Sequence, residues 1–270
     1  MTDRAQLSSF SKASLSDAQQ YFLMAMKCFR TESEKAYRAD SHAEGIAYLI
    51  KSADLGLNEA RYQLGVIALK GSDSQVDPDK AFEWFNLAAE NGFTPASFAL
   101  ATLYTQWQQH EKAYEILCEL AEKDITEAKT NLANLYLNGQ GTDKDLTKAV
   151  SLLEDAAGQH DRLAQYQLGV LYYQGKELPT DYLKARSFIV KAMEQKYLPA
   201  YMVMGAMLEH GYGITKDVMK AYSLYFYCDL YGIPDLSDLM QDILSQMNDI
   251  DRQRARQIAK EWCENEPAPE

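Results

Sequence analysis

Between Ala60 and Gly92 the chain shows two short runs of helical periodicity separated by a polar break. In the first run Ala60, Leu64, Gly65 and Ala68 share one side, with Tyr62 beside them, and Gly71 follows as a helix stop. Asp77-Pro78 then restarts a helix, aspartate in the capping position and proline in the first turn. Ala81, Trp84, Phe85, Ala88 and Ala89 form the apolar stripe of this second helix, which Asn91-Gly92 ends. The spelling Ala60-Arg61-Tyr62-Gln63-Leu64-Gly65 returns as Ala164-Gln165-Tyr166-Gln167-Leu168-Gly169, and worn copies lie between and after. Anchor alanines fall at 60, 96, 128, 164 and 200, with offsets of 36, 32, 36 and 36. A fixed period of this length predicts a helical solenoid, since one helix pair cannot bury its own apolar face.

The departures from the pattern carry expectations of their own. Gly65 in mid-helix costs about 1 kcal/mol against alanine, which close approach of a neighbouring helix explains. The unit from Ala96 is four residues short and lacks both glycines and the capping aspartate, so its turn around Gln106-Trp107-Gln108-Gln109-His110 is tighter. Asp124, His160 and Lys196 replace the glycine that ends a second helix. Either these residues are left-handed, at about 1 kcal/mol each, or a different turn is used. Ahead of the array, residues 1–15 read as a loose arm and 16–58 as a degenerate first pair: Ser16-Asp17 caps a helix over Gln19 to Phe29, and a second covers about His42 to Leu55. Five pairs fill 59–235, and 236–270 reads as capping helices (Leu236 to Met247, Ile250 to Cys263) with an acidic tail. Of the aromatic run Tyr222, Tyr225, Phe226, Tyr227 and Tyr231, packing beneath that cap is favoured over outward display.

The string Ala-x-Tyr-x-Leu-Gly, followed by Gly-x-Gly, then Asp-x-x-Lys-Ala-x-x-Trp, resembles the Sel-one-like repeat (SLR) family, relatives of the tetratricopeptide repeats. It is carried by Gly139-x-Gly141 with Asp145-x-x-Lys148-Ala149, by Gly175 with Asp181-x-x-Lys184-Ala185, and by Gly211-x-Gly213 with Asp217-x-x-Lys220-Ala221. The likeness covers about residues 43–232. It implies an all-α, right-handed α/α superhelical solenoid of antiparallel helix pairs, serving as a protein-interaction adaptor, often in bacterial signalling or envelope processes. SLR proteins described as binding or hydrolysing β-lactams carry regularly paired cysteines, and this chain has none.

Composition narrows the chemistry. The net charge of −12 and pI of about 4.9 oppose binding to phosphate backbones, so nucleic acid is not an expected partner. The polar N-terminus has no leader-like pattern, and no apolar run is long enough to span a membrane. Cys28, Cys118, Cys228 and Cys263 have no paired spacing and read as reduced thiols of a cytoplasmic protein. The histidines (His42, His110, His160, His210) form no metal spacing. The Gly-x-Gly pairs follow no strand, so helix turns rather than phosphate loops explain them. No catalytic residue, cofactor or metal is expected.

The positive signal is a set of amides. Positions three, six and ten beyond each anchor alanine share one helix face. It reads Gln63, Val66, Lys70; Ala99, Thr102, Gln106; Asn131, Asn134, Asn138; Gln167, Val170, Gln174; and Val203, Ala206, His210. First helices line the concave side of a helix-pair solenoid, so this face is expected in a groove, where Asn and Gln match both donors and acceptors of an extended peptide. A plainly solvated helix face is the competing explanation. A non-catalytic scaffold binding a peptide or partner protein through Gln63, Lys70, Gln106, Asn131, Asn134, Asn138, Gln167, Gln174 and His210 is the favoured function. A β-lactamase-like hydrolase hidden in the groove, or an inhibitor or immunity-type protein blocking one partner, are the alternatives.

Overall fold

The computed structural model describes residues 3–31, 39–71 and 76–265, with side chains from residue 16 onward except at 31, 39 and 40. All elements among these residues are α-helices, and the chain divides into two compact units, Met1–Leu120 and Ala121–Glu270. The first holds α1 (Asp3–Thr31), α2 (Ala39–Asp54), α3 (Asn58–Lys70), α4 (Pro78–Ala89), α5 (Thr94–Gln106) and α6 (His110–Glu122), the last turn of α6 crossing the boundary. The second holds α7 (Thr126–Asn138), α8 (Leu146–Gly158), α9 (Arg162–Gln174), α10 (Tyr182–Glu194), α11 (Leu198–His210), α12 (Val218–Leu230), α13 (Ser237–Ser245) and α14 (Asp249–Asn265). In the second unit each helix from α7 to α12 packs on its successor, and both α13 and α14 close on α12.

The period has a simple packing origin. The anchor alanines Ala60, Ala96, Ala128, Ala164 and Ala200 are fully buried, and so are Ala81, Ala113, Ala149, Ala185 and Ala221 on the second helices. Methyl-sized side chains at these points let backbones cross closely while leucines and aromatics fill the flanks. Mid-helix glycines serve the same end. A Cβ on Gly65 would lie 2.4 Å from Phe85, on Gly169 2.6 Å from Ile189, and on Gly205 2.6 Å from Tyr225. Where the equivalent residue is Ala101 or Ala133, the residue in the matching place is a leucine, Leu117 or Leu153, both buried. Gly65→Ala is therefore expected to destabilise the first unit by about 1–2 kcal/mol, because overpacking against the buried Phe85 ring outweighs the gain of about 1 kcal/mol in helix propensity. Phe85→Leu in the same chain restores part of the loss, as paired thermal melts would show.

Helix ends are closed by two devices. Asp77, Asp145, Asp181 and Asp217 each accept the backbone N–H three residues on, at 3.0 Å, as expected of N-caps. The second device is the residue just after the anchor alanine. Arg61 donates to Ala53 O, Gln165 to Ala157 O and Tyr201 to Met193 O, each eight residues back and each to a carbonyl that also accepts the backbone N–H three residues on, at the end of the preceding helix. The Lys80 and Lys148 amides hold the Asp77 and Asp145 carboxyls below the ordinary value of 3.8. A depressed folded pKa contributes stability above that ordinary value, which is lost as pH falls through the folded one. Acid titration of Asp77→Asn/Asp145→Asn is expected to give a shallower decline in denaturant midpoint below pH 4 than the parent chain, and an equal decline would contradict the caps.

Some boundaries differ from expectation. Helix α1 begins at Asp3, so residues 3–15 of the segment read as a loose arm are helical and Ser16-Asp17 lies inside a helix rather than capping one. Residues 4–15 contain no glycine or proline, so nothing in them interrupts the helix. Asp124, His160 and Lys196 have φ of 61°, 66° and 59°, the left-handed alternative. The short unit does form a helix pair, its connection reduced to residues 107–109 with Gln108 at φ 59°. The acidic tail beyond Asn265 lies outside the described residues.

Candidate functional site

On each first helix the buried side is formed by the anchor alanine and the residues four and five beyond it, which leaves the amide positions on the more open side. In the first unit Gln63 is partly exposed, while Lys70 and Gln106 are exposed at the ends of α3 and α5. In the second unit α7 presents Asn131 and Asn134, partly exposed, and Asn138, exposed. Helix α9 presents Gln167, partly exposed, and Gln174, exposed, and α11 presents His210. The nine residues thus divide between the two units, three in the first and six in the second.

Two members of the set stand apart. The Gln167 carbonyl oxygen is screened from solvent and accepts no hydrogen bond from the described residues. A buried acceptor left without a donor costs about 1–3 kcal/mol, which rotation of the Gln167 side chain toward an incoming N–H would recover. His210 is engaged locally: its Nδ1 donates to Ala206 O at 3.0 Å in the tautomer that this geometry requires, and its ring stacks on Tyr212 at 5.2 Å. It is more a part of the turn than of an open recognition face. Tyr212 in turn stacks on Tyr182 at 4.6 Å, with Tyr173 at 6.1 Å. Burial raises the Tyr173 hydroxyl above its ordinary pKa.

Sequence reasoning missed a polar node on the same helices. Lys129, one residue past its anchor, is 5% exposed and pairs with Asp124 and with Asp155, the latter at 2.6 Å. Thr130 donates to Asp161 at 3.1 Å, and Asp161 also caps α9 through the Ala164 amide at 2.6 Å. Gln165 is buried, donating to Ala157 O and accepting from Gln195 at 2.8 Å. The signal available in the sequence was the position itself, which holds Arg61, Ser97, Lys129, Gln165 and Tyr201 in successive units although it adjoins the core. These groups join one pair to the next and are spent on structure. The aromatic run of α12 is likewise structural: Tyr222, Tyr225 and Tyr227 are buried, and Tyr227 meets Trp262 of α14 at 5.0 Å.

Displaced ionisations follow the same division. Lys129 is raised by its two aspartates, Asp124 is lowered by Lys129, and burial pushes the Cys228 thiol up to about 12. Each displaced group has a capping, bridging or core role. Among the described residues no three His, Cys, Asp or Glu side chains gather as a metal-binding group, and no helix is long and apolar enough to cross a membrane.

The description of the Sel1 repeat matches residues 35–57, 58–93, 126–161, 162–197 and 198–226, passing over the short unit built by α5 and α6. An uncharacterized protein of Neisseria meningitidis serogroup B is 33% identical over 107 residues, 40% of this chain and 23% of that protein. A crystal structure of a protective antigen present in uropathogenic Escherichia coli strains, displaying an SLR fold, superposes with a TM-score of 0.75 at 23% identity. That match covers 93% of this chain and 54% of the antigen. A Sel1 repeat protein from Oxalobacter formigenes superposes with a TM-score of 0.67 at 20% identity, over 87% of this chain and 96% of that one. At these identities the two structures establish the fold alone. The chain spans only part of the length of the Neisseria protein and of the antigen.

Proposed function

The chain belongs to the Sel1 repeat family, whose members commonly serve as protein–protein interaction scaffolds, and we propose that it is a non-catalytic scaffold binding an extended peptide or partner tail on the amide face of its first helices. The observation that carries this reading is the Gln167 carbonyl oxygen, held out of water without a donor on the same side of the helices as Asn131 and Asn134. A backbone N–H of a bound strand supplies such a donor, and neighbouring amides supply both donors and acceptors along it. The reading is supported further by the structural role of every strongly displaced titratable group, since a catalytic centre is where such displacements gather. The cytoplasm is proposed as its compartment, because four cysteines, none in a disulfide, suit a reducing environment.

The test is a partner recovered on the wild-type chain and then measured against Asn134→Ala/Gln167→Ala. The affinity is expected to fall by about 1–2 kcal/mol, roughly 5- to 30-fold, with no fall in melting temperature. Equal affinity of the two chains would refute binding on this face.

A further inference from the structure

We propose that the cleft enclosed by α12, α13 and α14 is a second binding site, taking the free C-terminal carboxylate of a partner chain that ends in an apolar residue. The cleft has a volume of about 510 Å³. Its floor is apolar: Tyr222 and Leu244 are buried, and Met240 is partly so. Ser237 and Ser245 stand exposed at its rim. Two arginines, Arg252 and Arg256, line it in a chain whose net charge is −12.

The two arginines are not equivalent. Arg252 donates from Nε to Leu244 O at 2.7 Å and from Nη2 to Ser245 O at 3.4 Å, and it pairs with Asp249 at 3.1 Å, so it closes the end of α13. Arg256, one turn further along α14, is exposed and makes no hydrogen bond or ion pair among the described residues. Lys260 lies another turn on along α14 and is exposed as well, outside the lining of the cleft. Charge complementarity therefore selects an anion, and the floor selects an apolar group joined to it. A chain terminus carries both on one carbon atom, which suits a guanidinium set directly beside an apolar floor. The rim hydroxyl of Ser237 then meets the last peptide group, while Ser245 Oγ, which already donates to Asp242 O at 2.7 Å, can only accept from it, and guanidinium–carboxylate pairing supplies the directional contact.

The minimal probe is N-acetyl-leucine, titrated into the full chain while the Met240 methyl and Arg256 side-chain signals are followed by NMR. Saturable shifts of both signals are expected. N-acetyl-leucinamide, which lacks only the charge, is expected to bind at least tenfold more weakly, and acetate, which lacks the side chain, likewise. Arg256→Glu is expected to abolish the shifts at an unchanged melting temperature, and Arg256→Lys to retain part of them. Absence of saturable shifts with N-acetyl-leucine overturns the proposal. So does equal binding of the amide, equal binding of acetate (a general anion site), or full binding by Arg256→Glu. Because Asn134 and Gln167 take no part, failure here leaves the amide-face reading standing, and the reverse holds too.

Discussion

Replacing Tyr227 by alanine is expected to lower the stability of the second unit by about 4 kcal/mol, the range for deleting a large aromatic from a closed core. The side chain is fully buried, with ring centres 5.0 Å from Tyr201, 5.0 Å from Trp262 and 4.8 Å from Tyr231. It therefore joins α11, α12 and α14. For a unit of this size the loss corresponds to a fall of roughly 10 °C in melting temperature. Trp262→Ala is expected to cost less alone, since Trp262 is partly exposed, and much less again in the Tyr227→Ala background because the two share one contact. Fully additive losses in a double-mutant cycle would show that α14 does not close the array through this pair.

The second large effect is expected at Gly213. Its φ is +67°, and a Cβ there would lie 2.5 Å from the Tyr182 carbonyl oxygen and 2.8 Å from its carbon. Both obstacles are backbone, so no rotamer change relieves them. Left-handed strain and the steric clash together put Gly213→Ala at about 3 kcal/mol. Gly139→Ala has the same left-handed strain, φ +64°, but its nearest neighbour stands at 3.5 Å, so about 1 kcal/mol is expected. The reverse substitution, His160→Gly, is expected to gain up to about 1 kcal/mol by relieving a left-handed residue. Chemical denaturation of the three variants gives this order, and near-UV circular dichroism of Gly213→Ala reports loss of the Tyr182–Tyr212 stack.

Much of this architecture was legible because it is written in small residues. Buried alanines, mid-helix glycines and capping aspartates recur at fixed offsets, and each has a steric or hydrogen-bonding reason independent of distant parts of the chain. The short unit shows where local signals thin out: it loses both glycines and the capping aspartate, yet Ala96, Leu100 and Ala113 remain buried and sustain the pair. Long-range polar pairing was not legible. Lys129, Thr130 and Gln165 look like surface residues until Asp155, Asp161 and Gln195 are placed against them. The start of α1 was misjudged because Ser16-Asp17 has the chemistry of a cap, and only the uninterrupted helix through it shows that the cap goes unused. Nor did the spacing of Arg252 and Arg256 announce a cleft, which exists only because α13 and α14 fold back on α12.

The central claim, recognition through the amides of the first helices, is tested most directly by the side-chain NH₂ signals themselves. In a ¹⁵N-labelled chain titrated with its partner, the signals of Asn131, Asn134 and Gln167 are predicted to shift saturably, while that of Gln165, buried and already bonded to Ala157 O, stays in place. Unmoved Asn131, Asn134 and Gln167 signals at full occupancy would contradict the account.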